Sequence, residues 1–132
     1  MSIELDHLGI AMPNLEEGLY FYEKLLGLTV QRRETVESER VNAAMLPVGG
    51  SSRVELLEPT DADSTIARFI DKRGPGLHHV ALRVDDLALT IEHLKSKGAR
   101  LLNEPSSGAG GHTYVFVHPA STGGVLLELI QK

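Results

Sequence analysis

Val54-Glu55-Leu56-Leu57 and Leu127-Glu128-Leu129-Ile130 are two closely similar apolar stretches, each interrupted at the same place by a single carboxylate. Working outward from them, each is preceded by a second matched stretch: Asp6-His7-Leu8-Gly9-Ile10 before the first, and His78-His79-Val80-Ala81-Leu82 before the second. From His7 to Glu55 is 48 positions, and from His79 to Glu128 is 49. A repeated His on an early strand and a repeated Glu on a late one, at matched separations, marks an internal duplication.

The elements between these landmarks repeat as well. Ile3 to Met12 reads as a strand, interrupted by Pro13-Asn14, with Asn14 a helix N-cap and Glu16 and Glu17 in the favourable first turn. Leu15, Leu19, Tyr22, Leu25 and Leu26 recur at three- and four-residue steps, which predicts an amphipathic helix ending at Gly27. Strands are expected at Leu28 to Thr35, Val41 to Val48 and Ser52 to Leu57, with Gly49-Gly50-Ser51-Ser52 as a turn. A linker over 60–75 carries a short helix at Ser64 to Lys72, with Ile66, Phe69 and Ile70 on one face. The pattern then restarts with a strand at Leu77 to Val84 and a helix marked by Leu87, Ile91 and Leu94 and closed by Gly98. Strands are expected at Ala99 to Asn103, His112 to His118 and Val125 to Ile130. The expectation is one α+β domain over 1–132, built from two tandem βαβββ modules at 1–59 and 76–132.

Each carboxylate breaks a run that would otherwise be buried. An ionised carboxylate buried without a partner costs several kcal/mol, on the order of what one domain can spare. One divalent cation held by His7, Glu55, His79 and Glu128 removes that cost and leaves positions open for substrate. A lone His on an apolar strand is ordinarily a hydrogen-bonded core residue, and a lone Glu at a strand end ordinarily faces solvent; the duplication is what favours the metal. The other histidines are weaker candidates. His78 points to the face opposite His79, and His93 falls on the surface of the second helix. His112 either lines a ligand channel or merely opens a strand, and His118 precedes Pro119 in a turn.

Composition sets the outer bounds. The chain has 132 residues, 42% hydrophobic and 23% charged, and no Cys, which excludes disulfides, thiolate ligands and a cysteine nucleophile. Its apolar runs are too short to span a bilayer and no secretory pattern opens it, so no membrane role and a cytoplasmic location are expected. A net charge of -5, with scattered basic residues and only three Phe, three Tyr and no Trp, argues against nucleic acid as a partner.

The tandem modules with a His/Glu/His/Glu set resemble the vicinal oxygen chelate (glyoxalase) superfamily. Within it, six blocks look like the methylmalonyl-CoA epimerase family: Asp6-His7-Leu8-Gly9-Ile10-Ala11, Leu46-Pro47-Val48-Gly49, Glu55-Leu56-Leu57-Glu58-Pro59, Ser64-Thr65-Ile66-Ala67, Gly76-Leu77-His78-His79-Val80-Ala81, and His118-Pro119 with Gly124 to Leu129. The resemblance implies a curled mixed sheet around a metal-binding cleft, a homodimer, and a divalent ion on those four residues. Co2+ is favoured, with Mn2+, Ni2+, Zn2+ or Fe2+ as alternatives. It also implies an acyl-CoA substrate, methylmalonyl-CoA, whose C2 epimers are interconverted through an enolate in propionyl-CoA degradation. Some epimerases carry Gln where Glu55 stands. Several bacterial ones carry a catalytic Glu on the third strand of the first module, where this chain has Ala43, and Glu37 and Glu39 lie only in the preceding turn.

Epimerisation needs a proton removed from one face of C2 and returned to the other. Glu128 is the first candidate for that work and Glu55 the second, by the symmetry of the halves. Cations for the CoA phosphates are available at Arg32, Arg33, Arg53, Lys72 and Arg73. Gly108, Gly110 and Gly111 offer backbone N–H groups for a substrate carboxylate, or form a plain hairpin tip. The rivals are a glyoxalase I-type lactoylglutathione lyase using the same ligands, a ring-cleaving dioxygenase with a two-His, one-carboxylate site, and a metal-free resistance-type binding protein of the same fold.

Overall fold

Alternation of apolar and polar residues produces strands, and a capping side chain followed by a 3.6-residue period produces helices, in the order the sequence predicts. The computed structural model describes residues 2–108 and 111–132. They form two compact units, one of His7–His78 and one of His79–Lys132 together with the stretch up to Asp6.

In the first unit, β1 (Ile3–Ala11, from His7 on) is followed by α1 (Leu15–Leu19), β2 (Arg32–Val36), β3 (Val41–Pro47), β4 (Arg53–Pro59) and α2 (Thr65–Arg73). The strands lie in the order β2-β3-β4-β1. β2, β3 and β4 pair antiparallel, and β4 pairs parallel with β1. One sheet face packs Ala44, Leu46 and Leu56 against Leu15 and Leu19 of α1. The other packs Ala11, Val41, Ala43 and Leu57 against Ile66 of α2. Gly18 of α1 lets the Met12 side chain lie against the helix, since a Cβ there would meet the Met12 sulfur at 2.1 Å and push that flexible side chain aside.

The second unit repeats the plan with β5 (Gly76–Val84, from His79 on), α3 (Leu87–Ser96), β6 (Ser106–Ser107), β7 (Thr113–Val117) and β8 (Leu127–Gln131). The order is β5-β8-β7-β6, with β5 and β8 parallel. Val84, Val115, Val117 and Leu129 pack against Leu87 and Ile91 of α3.

The duplication reaches the helix caps. Asn14 accepts from the Glu17 N–H at 3.0 Å, and Asp86 accepts from the Leu89 N–H at 3.0 Å. The next free N–H in each helix is also answered in the same way. Leu15 donates to Glu58 Oε2 at 2.8 Å and Leu87 donates to Gln131 Oε1 at 2.7 Å, each acceptor lying three residues beyond the matched Glu. Each helix is thus fastened to the strand that carries the carboxylate, with a cap worth about 1 kcal/mol.

Three elements depart from the sequence expectation, the first being the strand expected at Leu28 to Thr35, which begins only at Arg32. After Leu19 the first helix widens into a π-helical stretch, Tyr20–Leu25, in which the Leu26 N–H reaches back five residues to Phe21. The wider turn shifts the phase of the apolar face, so Leu25 and Leu26 end at 61% and 58% exposure instead of in the core. The strand expected at Ala99 to Asn103 is reduced to a single bridge, Leu101 to Val117. There the Asn103 side chain, not a backbone carbonyl, accepts the Phe116 N–H at 2.8 Å. Pro105 then removes a donor, and pairing resumes only at Ser106.

Leu56 is fully buried between β4 and α1. Leu56→Ala should lower the unfolding free energy by about 2–5 kcal/mol, measured by urea titration.

Candidate functional site

In the first unit, parallel pairing sets Gly9 of β1 opposite Glu55 of β4, so Glu55 shares a sheet face with His7, two residues back. Both side chains are buried, and His7 Nε2 lies 3.4 Å from Glu55 Oε1. In the second unit, Ala81 of β5 stands opposite Glu128 of β8, which repeats the two-residue offset from His79. His79 Nε2 lies 3.3 Å from Glu128 Oε1, again with both groups buried. The four sequence-predicted residues are therefore brought together as two matched pairs, His7 with Glu55 and His79 with Glu128.

Each pair sets an imidazole nitrogen and a carboxylate oxygen side by side. A protonated imidazole would satisfy the carboxylate as an ion pair; a divalent cation would satisfy both donors at once, because neutral Nε2 and ionised carboxylate are its ordinary ligands. In a buried place the cation also offsets the cost of holding the carboxylate charge away from water. The donor set fits a hard-to-borderline divalent metal.

A second charged cluster lies next to this site in sequence and was missed from it. Asp6 is 1% exposed, on the residue just before His7, and its Oδ1 accepts from Arg83 at 2.6 Å and Lys132 at 2.9 Å. Arg83 also donates to Glu4 at 2.7 Å. The hydrogen bond to Glu4, with the charge of Asp6, holds the Arg83 guanidinium above its ordinary pKa against the opposing effect of burial. The signal was present in the sequence: Asp6 interrupts an apolar strand as plainly as Glu55 does.

The remaining candidates settle into structural places. The His78 ring meets Phe69 edge-on at 4.9 Å, while its neighbour His79 pairs with Glu128. His93 is exposed near the end of α3. His118 Nδ1 accepts from the Ala120 N–H at 2.9 Å and so caps the turn at Pro119–Ser121. His112 is half-buried and its carbonyl closes the hairpin to Gly108 at 2.9 Å. The Gly111 N–H donates to Gly108 at 2.9 Å, so that hairpin also consumes the Gly108 and Gly111 donors; Gly110 lies outside the described residues. Arg32 faces Glu34 and Arg33 faces Glu16, at 3.0 and 2.6 Å, and Arg73 lies over the Phe69 ring.

Ala43 gives the Glu55 face only a methyl group. Its partner on β2 is Glu34, which the sequence reading passed over. Glu34 Oε1 is buried and makes no hydrogen bond, although Arg32 Nε stands 3.0 Å away.

Asp6→Ala would leave Arg83 and Lys132 facing each other without their shared anion. It should destabilise the chain by about 3–5 kcal/mol, read from urea unfolding, and a loss below about 1 kcal/mol would contradict the cluster as a stabilising element.

The profile of the glyoxalase/bleomycin resistance protein/dioxygenase superfamily matches residues 6–116. An ethylmalonyl-CoA/methylmalonyl-CoA epimerase of Cereibacter sphaeroides is 35% identical, over 96% of this chain and 96% of its own. A methylmalonyl-CoA epimerase structure from Mycobacterium tuberculosis superposes with a TM-score of 0.91 at 38% identity, covering 96% of this chain and 86% of that one. A methylmalonyl-CoA epimerase in complex with methylmalonyl-CoA and NH4+ superposes at 0.94 with 36% identity, covering 100% and 96%. Sharing their α+β, glyoxalase-like arrangement of βαβββ halves, this chain belongs to the glyoxalase/bleomycin resistance protein/dioxygenase superfamily.

Proposed function

We propose that this chain is a metal-dependent methylmalonyl-CoA epimerase, interconverting the (2R) and (2S) forms in propionyl-CoA degradation. The observation that carries the reading is the pair of buried His–Glu couples, at 3.4 and 3.3 Å, repeated with one register offset in both units. Relatives named as epimerases over nearly the full length of the chain support the substrate. They also favour it over a lactoylglutathione lyase or a metal-free binding protein of the same fold.

In this reading His7, Glu55, His79 and Glu128 jointly hold one divalent ion, Co2+ first and Mn2+, Ni2+, Zn2+ or Fe2+ otherwise. The active form is a cytoplasmic homodimer. No helix among the described residues is long and apolar enough to cross a membrane. When bound, the ion supplies positive charge beside the thioester and carboxylate oxygens, which favours the enolate. His7 and His79 would hold the ion by their imidazoles and move no proton in the reaction. Glu128 takes the C2 proton on one carboxylate oxygen. Glu55, its counterpart in the other half, starts the same turnover protonated and gives that proton to the opposite face of C2; the reverse turnover, or exchange with water, resets the two carboxyl groups. Burial of both carboxylates keeps water from competing for the carbanion. Glu34, with its buried unbonded oxygen beside Ala43, is the alternative carrier on the Glu55 side.

Chelation of the purified protein should abolish epimerisation in a coupled assay with racemic methylmalonyl-CoA and a stereospecific mutase, and re-addition of Co2+ should restore it. His79→Ala should bind at least tenfold less metal by equilibrium dialysis. No conversion with any divalent metal would sink the epimerase assignment and leave the fold untouched.

Loss of one acid–base carrier costs about 10²–10⁴ in rate. Glu128→Gln and Glu55→Gln should therefore each lose epimerisation by that much, while one epimer still exchanges its C2 hydrogen in heavy water. Full epimerase activity with bound metal in Glu55→Gln, together with its loss in Glu34→Gln, would transfer the second role to Glu34.

A further inference from the structure

Glu128 has a cross-strand neighbour that the proton-transfer scheme leaves unused. Antiparallel register places Phe116 of β7 directly opposite Glu128 of β8, so both side chains leave the same sheet face. The Phe116 ring stands edge-on to the His79 imidazole, with centroids 5.9 Å apart. Tyr114, two residues back on that face, stands edge-on to Phe116 at 5.5 Å. Both aromatics are half-buried, so neither ring is wholly covered by the chain's own packing. Tyr114 is held from behind by the β6–β7 hairpin. A Cβ on Gly108 would come within 2.7 and 2.8 Å of the tyrosine Cε1 and Cδ1, so the glycine is what lets the ring lie there.

We infer that Phe116 and Tyr114 form the wall that receives the C2 alkyl substituent of the acyl-CoA, and that Tyr114 sets its length. The inference rests on the epimerase reading above. A carbon whose proton Glu128 can take lies beside the residue paired with Glu128, and the alkyl group on that carbon lies one bond further out. The carboxylate and thioester are polar and belong with the metal ligands; the alkyl group is the one part of the reacting centre suited to an aromatic surface. Phe116 supplies the face of the pocket, and the Tyr114 ring closes its far end. A methyl group fits against Phe116 alone, whereas a longer chain must displace Tyr114.

Tyr114→Val and Phe116→Leu, both compatible with a strand, test the assignment against methylmalonyl-CoA and ethylmalonyl-CoA as paired substrates. One methylene in an apolar pocket is worth about tenfold or more in kcat/KM, so the ethyl-to-methyl ratio should rise about tenfold in either variant. Because both substrates are measured on one preparation, the ratio is untouched by partial unfolding or metal loss. A ratio within about twofold of the unsubstituted chain in both variants would overturn the wall and leave the epimerase intact. If the unsubstituted chain converts neither substrate with any divalent metal, the epimerase reading falls and the wall with it.

Discussion

A carboxylate placed inside an apolar strand has to be answered by another charge, and the arrangement of this protein follows from how that demand is met. Glu55 and Glu128 are each answered by an imidazole on the parallel neighbouring strand. Asp6 is answered by Arg83 and Lys132. The first solution sets an imidazole nitrogen beside each carboxylate, the two donor types that a divalent ion ordinarily takes. The second consumes its charges among themselves, which makes a fastening. One electrostatic problem thus has two answers, an imidazole and a pair of cations, on adjoining residues, His7 and Asp6, of a single strand.

Parallel pairing is what makes the His–Glu couples possible. β1 with β4, and β5 with β8, each bring residues from opposite ends of a half side by side. The helix between them covers the other face of the sheet, so the His–Glu face is not the one buried under α1 or α3. The side chains of Glu58 and Gln131 then tie the start of each helix to the strand bearing the carboxylate. The face that bears the His–Glu couples is fixed from behind.

Much of this was legible in the residues. The repeat named the four ligand candidates, because alternation keeps His7, Gly9 and Glu55 on one side once the strands are parallel. The N-cap at Asn14 and the helix stops at Gly27 and Gly98 follow from local chemistry. What escaped was set by partners distant in sequence or by helical phase. A π-helical turn preserves the composition of an amphipathic segment while rotating Leu25 and Leu26 outward, so periodicity alone misplaces them. Asn103 imitates a backbone acceptor, and no propensity distinguishes that from a strand. Glu34 is visible on the Glu55 face only after the β2–β3 register is known.

The parallel pairs also bear on the order of events in folding. His7 and Glu55 are separated by 48 positions and His79 and Glu128 by 49, so neither couple exists until a long loop has closed. Closing loops of that length is an entropic cost met late, after hairpins such as β3–β4 and β7–β8 have formed from neighbouring chain. Ions that bind the finished couples but not the open chain would then act as a latch on the slowest-formed contacts. Metal supply during synthesis would thereby influence how much of the protein reaches its native state, apart from any part the metal plays in turnover.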